Sequence, residues 1–436
     1  MQNKDKIFEL IRLEEERQRD TLTMIPSENY ASKAVREATG SVLMNKYSEG
    51  YAGRRYYQGN KVIDEVETLT IERAKKLFGV PYVNVQPYSG SPANSEVLFA
   101  LCEPGDKIMG LELASGGHLT HGHPKVTFSG KYFNSVQFGV DEKGLLNYLR
   151  IERLVKKEKP SLMLIGTTAY PLAFDWKRFA EIADSVGAWF VADVSHVIGL
   201  VIAKSYPTPF PYAHVVTTTT HKTLRGPRGA MILVTKNGVV KDKEIFSKID
   251  KAVIPGMQGG PHNNTTAGIA VALEEASKPS FREYGKQVVK NAKVLALELI
   301  KGEFTLVGGG TECHLVLVDL RPQNLSGNVV AEALEIAGII TNRNPVPNDT
   351  MPPYYPSGLR LGTPAITTRG MKEVEMIKIS KWIIDVVKYV KPYKLPPSVE
   401  TRTTFLKAFR EKIAKDKFLL GIAEEVKMLC QKYPVP

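Results

Sequence analysis

Short apolar runs recur along the first 240 residues, separated by stretches whose apolar positions fall three and four apart, the two periods expected of buried strands and amphipathic helices. The predicted strands are 82–86, Lys107–Leu111, Leu162–Gly166, 189–194, 214–218 and Ala230–Val234. Helical spacing follows the first of them at 93–102, with Ser91 as N-cap and Pro92 as the first helical residue, and fills 179–186, where Gly187 is placed to stop the helix. Strands alternating with helices in this way predict an α/β fold with a mainly parallel sheet. Beyond about Leu273 the pattern shifts to longer helices, 281–299, 370–393 and 403–430, around a few strands such as 314–319. The division expected is an N-terminal arm and large domain over 1–272 and a smaller α+β domain over 273–436.

Composition narrows the class. At 436 residues the chain exceeds one ordinary core, and 43% hydrophobic with 24% charged residues excludes long disorder and fibrous designs. No apolar run approaches the ~20 residues that cross a bilayer, and the stretch from Met1 to Glu16 is charged throughout, which predicts a soluble, cytoplasmic protein without membrane contact. Cys102, Cys313 and Cys430 are odd in number, far apart and outside any metal-ligand spacing, so neither a disulfide nor a metal is expected. The net charge of +12 is spread along the chain without interleaved aromatic residues, the pattern of a solvated surface and not of an obligate nucleic-acid interface.

Three strand ends carry chemistry. The run Val215-Val-Thr-Thr-Thr-Thr-His-Lys222 leads from a strand through hydroxyl-bearing residues to one lysine, followed by Gly226-Pro-Arg-Gly229. A lysine there ordinarily caps an exposed strand end, but in the crevice of an open α/β sheet, beside Arg228, its amine suits Schiff-base chemistry. Asp193, in Val191-Ala-Asp-Val-Ser-His196, is either a helix cap or a carboxylate that holds a pyridinium nitrogen protonated. Ser89, Gly90 and Ser91 precede a helix in Pro87-Tyr-Ser-Gly-Ser-Pro-Ala-Asn94, a phosphate cradle that departs from the Walker A and GxGxxG spacings. Cradle, aspartate and lysine in that order describe a pyridoxal-phosphate enzyme with an aspartate-aminotransferase-like fold.

Further motifs narrow the resemblance to one family. Ser27-Glu-Asn-Tyr30, Asn45-Lys-Tyr-Ser-Glu-Gly-Tyr51, Arg55-Tyr-Tyr57, Gly116-Gly-His-Leu-Thr-His-Gly122, the Thr-rich run into Lys222, Gln258-Gly-Gly-Pro261 and Gly362-Thr-Pro-Ala-Ile366 resemble the serine hydroxymethyltransferases. The resemblance implies a fold-type I pyridoxal-phosphate transferase with a seven-stranded, mainly parallel sheet. It implies pyridoxal 5'-phosphate on Lys222, Asp193 at the ring nitrogen, His118 on the ring face and His196 near the ring hydroxyl. Ser89, Gly90 and Ser91 take the phosphate loop, with Thr168 (in place of a serine the family often has), Thr219 and Arg228 in the cofactor site. Gly259 and Gly260 reach the phosphate from a neighbouring subunit, which implies a homodimer with shared sites, or a tetramer.

By the same resemblance Arg360, assisted by Ser27, clamps the substrate carboxylate, and Glu49, placed between Tyr47 and Tyr57 beside the serine hydroxyl and the folate, is the proton shuttle, with His221 also in the catalytic set. Leu113, Gly117, His118, Leu119, Asn344, Pro352, Pro353 and Tyr354 match positions that face tetrahydrofolate. The implied reaction splits L-serine, passes its one-carbon unit to tetrahydrofolate and releases glycine. Ser115, where a histidine often stands, and Pro171-Leu-Ala-Phe174 depart from the commoner pattern. A folate-independent aldolase acting on threonine-like β-hydroxy amino acids is the alternative; Glu49 and the pterin-facing positions discriminate the two.

Overall fold

The computed structural model describes residues 5–436. Two compact units are present, Ala31–Lys286 and a second formed by the described residues up to Tyr30 with Gln287–Pro436.

The larger unit is built on seven strands: β1 (Tyr82–Asn84), β2 (Lys107–Leu111), β3 (Asn134–Phe138), β4 (Leu162–Gly166), β5 (Trp189–Asp193), β6 (Val215–Thr219) and β7 (Ala230–Val234). Their order is β1-β7-β6-β5-β4-β2-β3. Strands β3, β2, β4, β5 and β6 are parallel, whereas β7 runs antiparallel to both β6 and β1. The sheet is therefore mixed. The reason is the short connection at 220–229: a parallel crossover takes a dozen residues or more, so a chain that leaves β6 and re-enters beside it this soon must reverse.

Continuous apolar runs form these strands because both faces are covered. Leu162 and Leu164 face Ala93, Val97 and Leu98 of the helix Gly90–Leu101 and Ile245 and Ile249 of the helix Ile245–Lys251. On the opposite face Phe190 meets Trp176 and Phe179 of the helix Trp176–Asp184, each with ring centroids 6.4 Å apart. The carboxyl ends of β2, β4, β5 and β6 consequently open on one edge, the position where ligands of such sheets bind.

Several helix limits differ from the sequence expectation. The first helix starts at Gly90 with Ser89, not Ser91, as its N-cap. The expected 179–186 helix begins a turn earlier at Trp176, where the Asp175 carboxylate accepts from Arg178 N–H, and Gly187 (φ +74°) lies in the turn beyond its end. The expected 403–430 helix is two, Val399–Ile413 and Lys417–Lys432, because the Asp416 side chain caps a new start by accepting from the amides of Phe418 and Leu419.

The second unit holds a four-stranded antiparallel sheet, β8 (Thr305–Leu306), β9 (Leu315–Asp319), β10 (Asn342–Asn344) and β11 (Gly358–Gly362), in the order β8-β9-β11-β10. The arm belongs here and not, as expected, with the large domain. Leu22 and Thr23 pair in parallel with Ile339 and Ile340, and Leu22 and Met24 are buried in a core with Val316, Leu361, Ile383 and Val426. The break between units lies at 286/287, within the helix Pro279–Lys301, so the expected 272/273 boundary falls short of it.

Among the described residues no helix is long and apolar enough to cross a membrane, and no group of His, Cys, Asp and Glu is arranged to hold a metal. The three cysteines are free and buried.

Arg369 fastens the arm. It is buried, and its guanidinium donates to the carbonyls of Gln18, Arg19 and Thr21 at the end of the helix Lys6–Asp20 and to those of Cys430 and Tyr433 at the end of Lys417–Lys432, all within 3.2 Å. Helix C-termini expose such unpartnered carbonyls and carry partial negative charge, so one planar cation satisfies two of them. Arg369→Ala should lower the unfolding free energy by about 3 kcal/mol, and Arg369→Lys should recover only part, since an ammonium has three donors; urea unfolding of both variants measures this.

Candidate functional site

The edge where β2, β4, β5 and β6 end encloses a cleft of about 220 Å³. Ser89, Gly90, Ser91, His118, Thr168, Asp193, His196, Thr219, His221, Lys222 and Arg228 line it, together with Thr167 and Ser195, which the sequence reading had not singled out.

The lysine comes from the loop after β6, and its Nζ donates to Thr219 Oγ1 at 2.9 Å. The threonine run that precedes it is used residue by residue: Thr217 Oγ1 donates to Asn94 Oδ1 at 2.7 Å, Thr219 N–H to Ser195 Oγ at 3.0 Å, and Thr220 Oγ1 to Pro227 O at 2.6 Å. Each hydroxyl satisfies a group that the sheet ladder cannot reach.

Asp193 ends β5 and is buried. Burial alone would raise its pKa, but His121 Nε2 at 3.0 Å from Oδ2, Asn94 Nδ2 donating to Oδ2 at 2.8 Å and Ser195 N–H donating to Oδ1 at 3.0 Å outweigh it and hold the carboxyl well below the usual range. Asn94 and His121 were thus missed as site residues. Both lie inside quoted motifs, and only the fold brings them to Asp193.

His118 stands on the loop after β2, with Nδ1 2.7 Å from Thr120 Oγ1. Burial, then the neighbouring His121 and Lys222, pull its pKa down to about 4 against a smaller opposing effect of Asp193, so the imidazole is neutral at pH 7. Thr168 fixes this loop, its N–H donating to Gly116 O at 2.7 Å and its Oγ1 to Gly117 O at 3.0 Å. Gly117 passes so close to Leu111 that a Cβ would meet its carbonyl at 1.9 Å. Ser115, at the position of the family's histidine, is turned inward: its Oγ donates to Glu112 Oε1 at 2.6 Å and accepts from Val140 N–H. Leu113 lies in the adjoining helical turn, and Leu119 is exposed. His221 is driven to about 3 by burial and by the charges of Lys222 and Arg228, and its buried Nδ1 has no hydrogen-bond partner.

A second cluster stands apart from this lining. Tyr47 and Tyr57 meet edge to face at 5.2 Å, Glu49 Oε1 lies against Gly259, and the Tyr47 ring lies against Gly260. The nearby charge of Glu49 raises the Tyr47 phenol. Tyr88 OH donates to Gly260 O at 2.8 Å, and its ring stacks on His262 at 4.1 Å. None of Tyr47, Glu49, Tyr57, Gly259 and Gly260 lines the Lys222 cleft of its own chain. Their segment is tied elsewhere: Ser48 Oγ donates to Asn263 Oδ1 and Asn263 Nδ2 to Lys46 O, both at 2.6 Å.

Ser27, Arg360, Asn344, Pro352, Pro353 and Tyr354 belong to the other unit. Arg360 lies in β11, opposite Asn342, and its Nε donates to Asn342 Oδ1 at 3.1 Å. Burial pulls its guanidinium down to about 10, so it stays charged at neutral pH. Asn344 Nδ2 donates to Pro345 O at 2.7 Å, and Tyr354 is exposed with Arg343 over its ring.

The cleft fits pyridoxal phosphate. A Cβ on Gly90 would meet Thr219 Cγ2 at 2.6 Å, so the first turn of the helix Gly90–Leu101 closes on the lysine strand with its amides unobstructed, and a primary amine and an ionised buried carboxylate open into the same space. These features define the class as a fold-type I pyridoxal-phosphate enzyme. A family model described as serine hydroxymethyltransferase matches residues 1–383. The chain is 50% identical to a serine hydroxymethyltransferase of Desulfotalea psychrophila over 435 residues, covering 100% of this chain and 95% of the relative. It is 49% identical to those of Acidothermus cellulolyticus and Sorangium cellulosum, in each case over 99% of this chain and 95% of the relative. The chain belongs to the serine hydroxymethyltransferase family. As a member it is a pyridoxal-phosphate-dependent one-carbon transferase of serine and glycine metabolism with tetrahydrofolate as co-substrate, and the folate-independent aldolase reading is not favoured.

His121→Phe should raise the Asp193 pKa by roughly one to two pH units, the equivalent of losing one charge-assisted hydrogen bond. Because the folded carboxyl is depressed, its stabilisation exists above the ordinary carboxylate pKa and is lost as pH falls through the folded value. The variant should therefore be less stable than the parent at pH 7, and this deficit should shrink only as pH falls through the variant's own, higher folded value; carbon NMR titration of the aspartates and thermal midpoints from pH 7 downward test both statements.

Proposed function

We propose that Lys222, Asp193, His118 and the Ser89–Ser91 turn hold the cofactor, that Arg360 holds the amino-acid substrate and that Glu49 moves its hydroxyl proton. The observation that carries this reading is the Lys222 amine and the ionised Asp193 opening into one cleft at the start of a twelve-residue helix. When bound, pyridoxal phosphate supplies an electron sink for the pair released as the Cα–Cβ bond of serine breaks.

The protein's part is positional and electrostatic. Lys222 Nζ is the attachment point, with Thr219 Oγ1 accepting its hydrogen bond when it is free. Asp193 keeps a proton on the ring nitrogen, and its own three hydrogen bonds keep it from taking that proton itself. His118, neutral at pH 7, offers a flat surface to the ring face without competing charge. His196 and Thr168 would hold the ring's polar edge, and the amides of Gly90 and Ser91 would hold the phosphate with Arg228. His221, neutral and next to Lys222, borders the lysine's path. Arg360, supported by Ser27, takes the substrate carboxylate in a fork and so fixes which bond at Cα stands perpendicular to the ring.

Glu49, between Tyr47 and Tyr57, moves the proton of the serine hydroxyl as the one-carbon unit leaves for tetrahydrofolate. Leu113, Gly117, Leu119, Asn344 and the Pro352-Pro-Tyr354 stretch face the pterin. The separation of the Glu49 cluster from its own chain's cleft favours a homodimer in which Tyr47, Glu49, Tyr57, Gly259 and Gly260 complete the partner's site. Three buried free thiols suit a reducing, cytoplasmic setting.

Glycine added to the cofactor-loaded protein should produce a weak long-wavelength absorption band that tetrahydrofolate strengthens severalfold, and Lys222→Ala should lose turnover. A band indifferent to folate, with β-hydroxy amino acids still cleaved, would return the aldolase reading. Mixing Lys222→Ala with Glu49→Gln subunits should restore activity that neither has alone, because one of the two mixed sites is intact; no recovery despite subunit exchange, shown by native mass spectrometry, would place Glu49 in its own chain's site.

A further inference from the structure

The loop that returns the chain from β6 to β7 is closed on itself. Thr220 N–H donates to Gly229 O at 3.0 Å and Gly226 N–H to Thr220 O at 2.7 Å. Inside it, Arg225 N–H donates to Lys222 O at 3.1 Å, so the lysine begins a tight turn that Arg225 ends. Arg225 sits at φ +61°, in the left-handed region that favours glycine. An arginine held there needs a compensating contact.

Its side chain supplies one. The guanidinium carbon lies 4.2 Å from the centroid of the Tyr284 ring and 5.1 Å from that of Phe281, two buried rings at the start of the helix Pro279–Lys301. That helix start is itself seated firmly: Ser205 Oγ donates to Gly285 O at 3.2 Å, and a Cβ on Gly285 would meet Ala203 at 2.3 Å. The other side of the turn is fixed by Thr223, whose Oγ1 donates to His196 O at 2.9 Å and accepts from Gly199 N–H at 3.0 Å. Arg225 does not line the cleft.

We propose that Arg225 is a positioning residue for Lys222: its guanidinium, stacked on Tyr284 and Phe281, holds the backbone turn that carries the lysine, so that Nζ leaves and regains the cofactor by side-chain rotation alone. This rests on the reading of Lys222 as the cofactor-bearing lysine. A cation over two desolvated rings is a strong member of its kind, and it joins the turn to a helix that does not touch the cofactor.

The test uses the full-length protein and Arg225→Gly, which removes the stacking while relieving the left-handed backbone, so that it folds. Its thermal midpoint should match the parent's. The apoprotein should bind pyridoxal phosphate roughly tenfold more weakly, amide exchange over residues 222–226 should quicken, and the serine turnover number should fall with the half-saturating serine concentration unchanged. Tyr284→Leu should reproduce the loss and add little to Arg225→Gly. Unchanged cofactor affinity and exchange in Arg225→Gly, or full additivity of the two substitutions, overturns the positioning role. Borohydride reduction and peptide mass analysis separate the two readings. Cofactor fixed on another lysine sinks the Lys222 assignment, whereas cofactor on Lys222 with Arg225→Gly behaving as the parent sinks only the role of Arg225.

Discussion

A carboxylate ionised inside the protein, at the end of a central strand, is the constraint around which the larger unit is arranged. Removing such a charge from water costs several kcal/mol unless donors replace the lost solvent. Here the donors come from three separate places: Asn94 on the first helix, His121 on the loop after β2, and the Ser195 amide just beyond β5. Satisfying one aspartate therefore aligns the helix Gly90–Leu101, the loop of His118 and the strand itself. Asn94 then passes the restraint on, because its carbonyl accepts from Thr217 and so ties in the strand that leads to Lys222.

The hydroxyl-rich run before Lys222 follows the same logic. A loop that crosses the end of a buried sheet has backbone groups that neither water nor the ladder reaches. Threonine suits this place twice over, since its branched side chain fits a strand and its oxygen serves a neighbour. The Ser115 hydroxyl does comparable work in the loop after β2, joining Glu112 to Val140.

How much of this could be read from the residues depended on the range of the interactions. Lys107–Leu111, Leu162–Gly166 and Ala230–Val234 are strands to the residue, because a strand buried on both faces is apolar along its whole length. Of the cleft lining, Ser89–Ser91, Asp193, Lys222 and Arg228 were legible because cradle, aspartate and lysine each close a local pattern, whereas His118, Thr168, His196, Thr219 and His221 came only with the family resemblance. What escaped depends on distant partners or on competing caps. Ser89 and Ser91 are equal N-cap candidates until the fold chooses, and Asp416 interrupts a helical pattern whose apolar spacing runs on through it. Nothing near Leu22 announces Ile339, so the arm was grouped with its sequence neighbours. His121 and Asn94 became visible only with Asp193 between them.

The attachment of the arm has a consequence for the order in which the molecule can be completed as it is made. Thr21 and Arg369 are 348 residues apart, and at the usual pace of synthesis that separation lasts roughly 20 to 70 s. For most of it Leu22 and Met24, fully buried in the finished unit, have no core to enter, because Val316, Leu361 and Val426 come late in the chain. The large unit can form in the meantime from contiguous sequence, Ala31–Lys286. The nascent protein is therefore a folded body carrying an exposed apolar segment, and the span around Leu22 and Met24 stays open to mispairing until its distant partners are made.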